Sequence, residues 1–153
     1  MKLVRFFNRQ RAVALERTLL RRLARRLLED CLGRRDYLLG VHFISATEMA
    51  RLNQTFLGHE GSTDVITFNH QEDPASSQLY GEIFISVDDA LVQARRFRAR
   101  WRSELARYLI HGVLHLEGFD DTAPAARRAM KLRENSLLKE LSARFDLGKM
   151  DKP

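Results

Sequence analysis

Residues 103–121 restrict the possible folds of this chain more than any other segment. From Ser103 to Leu116 the apolar residues recur at helical spacing, and two histidines interrupt them. His111 and His115 are four residues apart, so on a helix they lie one turn apart on the same face and can direct both imidazoles at one ion. Gly118 then ends the helix, because glycine readily takes the left-handed conformation that turns a chain back.

The predicted turn brings a carboxylate toward the two histidines. Asp121 lies three residues after Gly118, and the pattern His-x3-His-x2-Gly-x2-Asp supplies two nitrogens and one oxygen. Three such ligands leave the fourth position of a tetrahedral zinc ion open for water or substrate. Alternatives stay open, because histidines four apart also occur without a metal and Asp121 could instead cap the helix that Pro124 begins. The adjacent Asp120 competes for either role.

The same spacing occurs in the long zinc motif of metzincin peptidases, H-E-x-x-H-x-x-G-x-x-H, so we expect a zincin-like metal helix. In those enzymes the Glu after the first His is the general base that activates the metal-bound water. Here that position is Gly112, which has no side chain to hold a proton. The motif therefore favours metal binding over peptide hydrolysis.

The order of predicted elements indicates an α+β fold. At 153 residues the chain has the size of one domain, so we expect residues 1–153 to form a single unit. That unit would contain a small mixed four-stranded sheet covered by about five helices. The predicted strands cover residues 3–7, 37–45, 65–68 and 79–86; the predicted helices cover 12–31, 47–56, a segment from 88, 103–116 with Ser103 as its cap, and 124–145.

The net charge of +6 comes in blocks. Residues 1–35 carry +8, residues 36–92 carry −8 and residues 93–108 carry +5. A basic block permits contact with a polyanion such as RNA, although a solvated helix face gives the same pattern. The candidate phosphate-contacting residues in the second basic block are Arg95, Arg96, Arg98, Arg100 and Arg102.

Cys31 is the only cysteine, which excludes an intrachain disulfide and a cysteine-based metal cluster. This usage fits a reducing cytoplasm. Arg9 and Arg11 interrupt the apolar residues near the start, so we expect no signal peptide and no membrane span.

Several segments together resemble one known family, the YbeY family of bacterial zinc-dependent endoribonucleases, also called rRNA maturation factors. Residues 111–121 are similar to its H-G-x-L-H-L-x-G-Y-D-H signature. Residues 63–68 (T-D-V-I-T-F) are similar to its P-T-D-V-L-S-F segment, and residues 81–86 (G-E-I-F-I-S) to its G-D-I-x-I-S strand. Met130 and Glu134 fall where its last helix has M-x-x-x-E.

The resemblance implies a cytoplasmic endoribonuclease that cleaves single-stranded RNA in 16S rRNA 3′-end maturation and ribosome quality control. It implies one zinc ion per chain on His111, His115 and Asp121. The implied partners are precursor rRNA and the small ribosomal subunit, with no role for DNA or a membrane.

Two positions depart from the family pattern. The third ligand is usually His and here is Asp121, which changes the charge of the site. The arginine usual just before the glycine of the family's R-G-x-x-x-x-T-D segment is replaced by Leu57, which removes a cation thought to assist with phosphate or metal-bound water.

Two functions of different classes follow as hypotheses. In the first, the metal polarises a phosphodiester while arginines stabilise the developing charge, with Glu117, Glu82 and His59 as unranked candidates for the general base. In the second, the chain is a non-catalytic ribosome-assembly factor with a structural zinc, a reading favoured by Leu57 and the lack of a clear base.

Overall fold

A computed structural model describes residues 1–144, which form one α+β domain. The expected architecture is confirmed: five helices pack on a four-stranded mixed sheet of strand order β1-β2-β4-β3. Among residues 1–144, no helix is both long and apolar enough to cross a bilayer. The strands are β1 (Lys2–Asn8), β2 (Tyr37–Ile44), β3 (Val65–Asn69) and β4 (Leu79–Ser86); the helices are α1 (Arg17–Arg25), α2 (Ala46–Leu57), α3 (Val87–Arg96), α4 (Trp101–Leu116) and α5 (Pro124–Arg144).

The sheet combines both strand directions. β1 pairs with β2 and β2 with β4 in parallel, whereas β3 is an antiparallel edge strand beside β4. Successive side chains of a strand point to opposite faces of a sheet. On β4, Gly81 and Ile83 therefore face one side, where α4 packs, and Glu82 faces the other.

The larger core lies between the sheet and helices α1, α4 and α5. Apolar side chains from each layer are almost completely removed from water there, and each stabilises the fold by about 1.5–3 kcal/mol relative to exposure. Helix α2 covers part of the opposite face with a smaller cluster of Ile44, Met49 and Ile66. Representative members of the larger core are Leu23, Leu27, Val41, Ile83, Val113, Leu114 and Leu137.

The first helix differs from its predicted span of residues 12–31. It begins at Arg17, because the Gln10 side chain bonds to Asn8 Oδ1 at 2.8 Å and to the Val13 carbonyl at 2.9 Å, which holds the preceding segment in a non-helical turn. Its last part, Arg26–Cys31, is π-helical. The widened turn keeps Leu27 and Leu28 in the core.

The break between α3 and α4 also differs from expectation. Helix α4 begins at Trp101 after Arg100, so the expected cap at Ser103 is wrong. Arg98 has a left-handed backbone, with φ of 52°, and turns the chain between the two helices. The five-arginine run is therefore divided between the end of α3, a turn and the start of α4.

Glycine sets how closely α4 approaches the sheet. A Cβ atom on Gly112 would lie 2.6 Å from Ile83 Cγ2, so any larger residue would force Ile83 or the helix to shift. Gly118 adopts φ of 105° after the end of α4, in agreement with the predicted turn.

Candidate metal centre

Three potential ligand atoms converge at the C-terminal end of α4. His111 Nε2 and His115 Nε2 are 3.1 Å apart, as two residues one helical turn apart can be. The turn at Gly118 brings Asp121 Oδ2 to 3.6 Å from His111 Nε2 and 3.4 Å from His115 Nε2. These three residues form a group that could hold a metal ion.

The spacing of these atoms fits a tetrahedral zinc ion. Ligands bound at about 2.0–2.1 Å in tetrahedral geometry are about 3.3 Å from one another. The three observed separations of 3.1, 3.4 and 3.6 Å lie close to that value. The three atoms are therefore spaced as three ligands of one tetrahedrally coordinated ion would be.

Hydrogen bonds on the far side of each imidazole fix its orientation. His111 Nδ1 lies 3.0 Å from Glu134 Oε2, and His115 Nδ1 lies 3.1 Å from the Phe119 carbonyl. Both partners only accept, so each Nδ1 carries the proton and donates it. The Nε2 lone pairs then face each other and the Asp121 carboxylate, an arrangement of three electron donors that a cation stabilises.

Glu134 on α5 is the buried residue behind this arrangement. Burial raises the pKa of its carboxyl group, but hydrogen bonds from His111 and Arg107 outweigh burial, so that the pKa is lowered overall. Arg107 Nη1 lies 2.9 Å from Glu134 Oε1, and Lys131 Nζ lies 3.6 Å from the same atom. Glu134 is therefore a carboxylate anion whose Oε2 accepts a hydrogen bond from His111 Nδ1.

The two neighbouring aspartates have different roles. Asp120 accepts hydrogen bonds from the Thr122 amide at 3.0 Å and the Thr122 hydroxyl at 2.8 Å. These bonds lower the pKa of Asp120 and hold it in the turn before α5. Of the two residues that the sequence left open, Asp121 is the one placed beside the histidines.

The three candidate general bases lie apart from this group. Glu82 is on the opposite face of the sheet, where its carboxylate bonds to His42 and His70. Glu117 is engaged by two hydrogen bonds from Arg34. His59 lies in the loop after α2 and does not line the cavity beside the candidate metal centre.

A cavity of about 620 Å³ opens beside His111 and Asp121. Sequence reasoning missed most of its polar lining, including Asp64, Arg107 and Tyr108. A signal was present, because positions 104, 107, 108, 111 and 115 share one face of a helix. Burial raises the pKa of Asp64, and the nearby Asp89 raises it further.

The basic run borders this cavity only in part. Phe97 and Ala99, which alternate with the arginines, line its rim. Arg95, Arg96, Arg98 and Arg100 are exposed. Arg102 is only 8% exposed and lies with its Cζ 4.0 Å from the centre of the Trp101 ring, so it packs in the protein instead of forming part of an open surface.

Leu57 contributes no charge near the candidate metal centre. It is exposed at the end of α2 and does not line the cavity. The cations at the cavity come instead from α4 and α5: Arg107, Arg127 and Lys131. Arg127 Nε donates to the Asp121 carbonyl at 3.1 Å, which holds its guanidinium beside the third potential ligand.

Comparisons with known proteins agree with the fold and the motif. The family model Endoribonuclease YbeY matches residues 5–142. The chain is similar to a protein named Endoribonuclease YbeY from Anaeromyxobacter sp., with 39% identity over 69% of this chain and 55% of that protein. It is also similar to a protein of the same name from Chlorobaculum tepidum, with 44% identity over 60% of this chain and 64% of that protein. A third, from Phocaeicola vulgatus, is 35% identical over 73% of this chain and 79% of that protein.

A solved structure extends the likeness to the whole fold. The solution structure of TM1509 from Thermotoga maritima superposes with a TM-score of 0.70 at 26% identity, covering 99% of this chain and 97% of that one. The first relatives align over less than two thirds of their own length. The resemblance drawn from the motifs is confirmed, and the chain belongs to the Endoribonuclease YbeY family.

Proposed function

We propose that this chain is a metal-dependent endoribonuclease specific for single-stranded RNA, acting in 16S rRNA 3′-end maturation and ribosome quality control. The observation that carries the proposal is the convergence of His111, His115 and Asp121 beside a cavity whose lining includes the cations Arg107, Arg127 and Lys131. These residues would hold one zinc ion per chain. The names of the family and its relatives support the reaction class.

When bound, the ion supplies Lewis-acid polarisation of a phosphodiester group. The protein supplies the positions of the surrounding charges. Glu134 keeps the proton on His111 Nδ1, and the Phe119 carbonyl does the same for His115. Arg127, exposed and held against the Asp121 carbonyl, is placed to stabilise negative charge that develops on the phosphate.

The surroundings favour a single strand as the substrate. The imidazoles of His111 and His115 are about three-quarters covered by protein, so the ligand atoms lie below the surface. A flexible strand can enter such a recess with its bases unstacked, which a rigid duplex cannot do. Arg95, Arg96 and Arg98 would contact its phosphates, and Phe97 would offer an aromatic surface for a base.

A non-catalytic assembly factor with a structural zinc is the second candidate. The observation in its favour is the placement of the candidate bases, since Glu82 is on the other face of the sheet and Glu117 is engaged by Arg34. It would bind precursor rRNA or the small subunit without cleaving it. For either function we propose a cytoplasmic location, which fits a chain whose single cysteine, Cys31, can form no intrachain disulfide.

A ribonuclease assay separates the two candidates. The full chain with zinc should cleave a single-stranded oligonucleotide from the 3′ region of 16S precursor rRNA, and His115→Ala or chelation should abolish cleavage. His70→Ala, a histidine on the opposite face of the sheet, is the matched control and should retain activity. Equal rates in all four samples would overturn the endoribonuclease proposal, and RNA binding without cleavage would favour the assembly factor.

A further inference from the structure

The outer side of α1 and of the π-helical turn after it carries a set of exposed arginines outside the proposed cleavage site. Leu20, Leu23 and Ala24 bury the inner side of this helix in the core. The outer side belongs to the first basic block of the sequence, residues 1–35. Its arginines form the α1 basic face, which consists of Arg17, Arg21, Arg22, Arg25 and Arg26.

The α1 basic face stays positive despite the carboxylates beside it. Residues 16–31 contain five arginines and three carboxylates, of which Glu16 precedes the helix and makes no capping bond. The other two carboxylates are each shared by two cations at 2.9–3.5 Å: Glu29 by Lys2 and Arg25, and Asp30 by Arg26 and Arg144. Among residues 1–144, no carboxylate lies within ion-pair distance of Arg17 or Arg21.

This arrangement of charge opposes the stability of the helix that carries it. Residues four apart on a helix are neighbours, and like charges at that spacing are destabilising. Arg17 also lies in the first turn, where the helix dipole disfavours a cation and no acidic residue compensates. A bound polyanion would offset both effects. The like-charged pairs are Arg17 with Arg21, Arg21 with Arg25, and Arg22 with Arg26.

The spacing and composition of the face fit the backbone of base-paired RNA. Arg17, Arg21 and Arg25 follow one another at intervals of about 6 Å along the helix axis, so they can contact successive phosphates of one strand. Proteins that hold unpaired RNA stack its bases on aromatic rings, and α1 contains none. The apolar residues of α1 pack in the core, so the helix has no apolar side to insert into a membrane.

Helix α5 connects this face with the candidate metal centre. Arg144, in the last turn of α5, has its Nη1 3.5 Å from Asp30 Oδ2. Glu134 bonds to His111 and lies ten residues earlier on the same helix. Ten helical residues span about 15 Å, which one folded RNA can bridge.

We propose that the α1 basic face binds the phosphate backbone of a base-paired RNA segment that adjoins the single-stranded segment in the cavity. This inference rests on the proposed action on RNA and adds a second contact surface to it. The substrate class is then an RNA in which a duplex lies next to an unpaired strand. The face contributes affinity, and the chemistry stays at the cavity.

Binding of a blunt-ended RNA duplex tests the face, because such a duplex has no unpaired strand for the cavity. Fluorescence anisotropy with the zinc-supplemented full chain at several salt concentrations gives the affinity and its salt dependence. Arg17→Gln combined with Arg21→Gln should weaken binding by about tenfold and reduce the slope of log affinity against log salt by about 2, one for each lost phosphate contact. The control combines Arg5→Gln, on the other face of the sheet, with Arg51→Gln, exposed on α2. It removes the same charge and should keep both values.

Thermal melts separate a binding role of these arginines from a structural one. Glutamine and arginine have similar helix propensities, and the Arg17→Gln/Arg21→Gln variant has fewer like-charge contacts. Its Tm should therefore be no lower than that of the unaltered chain, and higher at low salt, where charge repulsion is least screened. A lower Tm together with lost duplex binding would assign the arginines to folding and overturn the proposal.

Two further outcomes would overturn it. In the first, the Arg17→Gln/Arg21→Gln variant binds the duplex with the affinity and salt slope of the unaltered chain. In the second, the variant loses binding to phosphatidylserine vesicles and keeps binding to RNA. Failure of the proposed function is distinct: a chain that binds the duplex through α1 but cleaves no RNA would keep the α1 basic face and lose the endoribonuclease proposal.

Discussion

The two faces of the sheet each carry a cluster of two histidines and one carboxylate, but only one cluster has the geometry of a metal site. In the α4 cluster, made of His111, His115 and Asp121, the ring nitrogens converge. In the sheet cluster, made of His42, Glu82 and His70, each histidine Nε2 lies 2.8 Å from a different oxygen of Glu82.

The difference lies in what holds the other side of each ring. The α4 histidines are bonded through Nδ1 to Glu134 and to a backbone carbonyl, which leaves Nε2 free to bind an ion. In the sheet cluster Nε2 is already used, and the His42 ring is stacked between Phe7 and Phe84 at 4.6 and 4.1 Å. Two histidines and a carboxylate are therefore not sufficient for a metal site. The hydrogen bonds at Nδ1 determine whether the Nε2 lone pairs of the histidines point at one common position.

Removal of one histidine from each cluster should give the largest difference between the clusters, measured as the change in Tm that zinc causes. Zinc should raise the Tm of the unaltered chain, because an ion that binds only the folded state stabilises it. His115→Ala should abolish that increase, whereas His70→Ala should keep it. Differential scanning fluorimetry with and without zinc measures both, and an equal zinc response of the two variants would remove the distinction between the clusters.

Glu134→Gln should weaken zinc binding by about 10- to 100-fold, the usual effect of losing a partner that orients a ligand. The amide keeps the shape of the side chain but removes the negative charge that holds the His111 proton. Glu104→Gln, on the same cavity and without a bond to either histidine, is the control. Competition with a zinc chelator gives both affinities, and unchanged affinity in Glu134→Gln would show that the outer hydrogen bond does not tune the site.

The α4 cluster also depends on how closely its helix approaches the sheet. Gly112→Ala should destabilise the fold by about 1–3 kcal/mol, since the new methyl group meets Ile83 Cγ2 at 2.6 Å. Chemical denaturation of this variant, of Ile83→Ala and of the double variant measures the coupling. The double variant should lose less free energy of unfolding than the two single variants lose together, because Ile83→Ala makes room for the new methyl group. Losses that simply add would contradict the contact.

Glu82→Gln tests the sheet cluster and should have the smallest effect. It should lower the free energy of unfolding by about 1 kcal/mol, a figure that allows for the partial exposure of Glu82. Burial raises the pKa of Glu82, but the hydrogen bonds from His70 and His42 lower it overall. Its stabilisation is therefore present above the unfolded pKa and is lost as the pH falls through the folded value. Urea unfolding at a series of pH values from 7 downward should show the difference between variant and unaltered chain shrink as the pH falls, and a difference that does not change with pH would contradict the role of the carboxylate.

The part of the site formed by neighbouring residues could be predicted from the sequence. Helical periodicity placed His111 and His115 on one face, and glycine chemistry placed the turn that returns Asp121. Both depend on interactions within a few residues, which the order of amino acids determines directly. The assignment of these three residues as zinc ligands remains a prediction.

The rest depends on tertiary packing. The sequence indicated Glu134 only through the family resemblance, because no residue pattern within α5 predicts that its side chain contacts His111. The alternation of β4 shows that Glu82 and Ile83 face opposite sides, but the side that α4 covers depends on topology. The π-helical turn Arg26–Cys31 likewise has no local signal, since it accommodates Leu27 and Leu28 in a core formed by distant strands.

The bond between His111 and Glu134 joins two helices through one potential ligand. Glu134 can orient the imidazole only while α5 is docked on α4. If His111 binds an ion, metal affinity and α5 docking are therefore linked, and each strengthens the other by the same factor. In that case zinc binding would slow amide hydrogen exchange along α5, and detachment of α5 would weaken zinc binding.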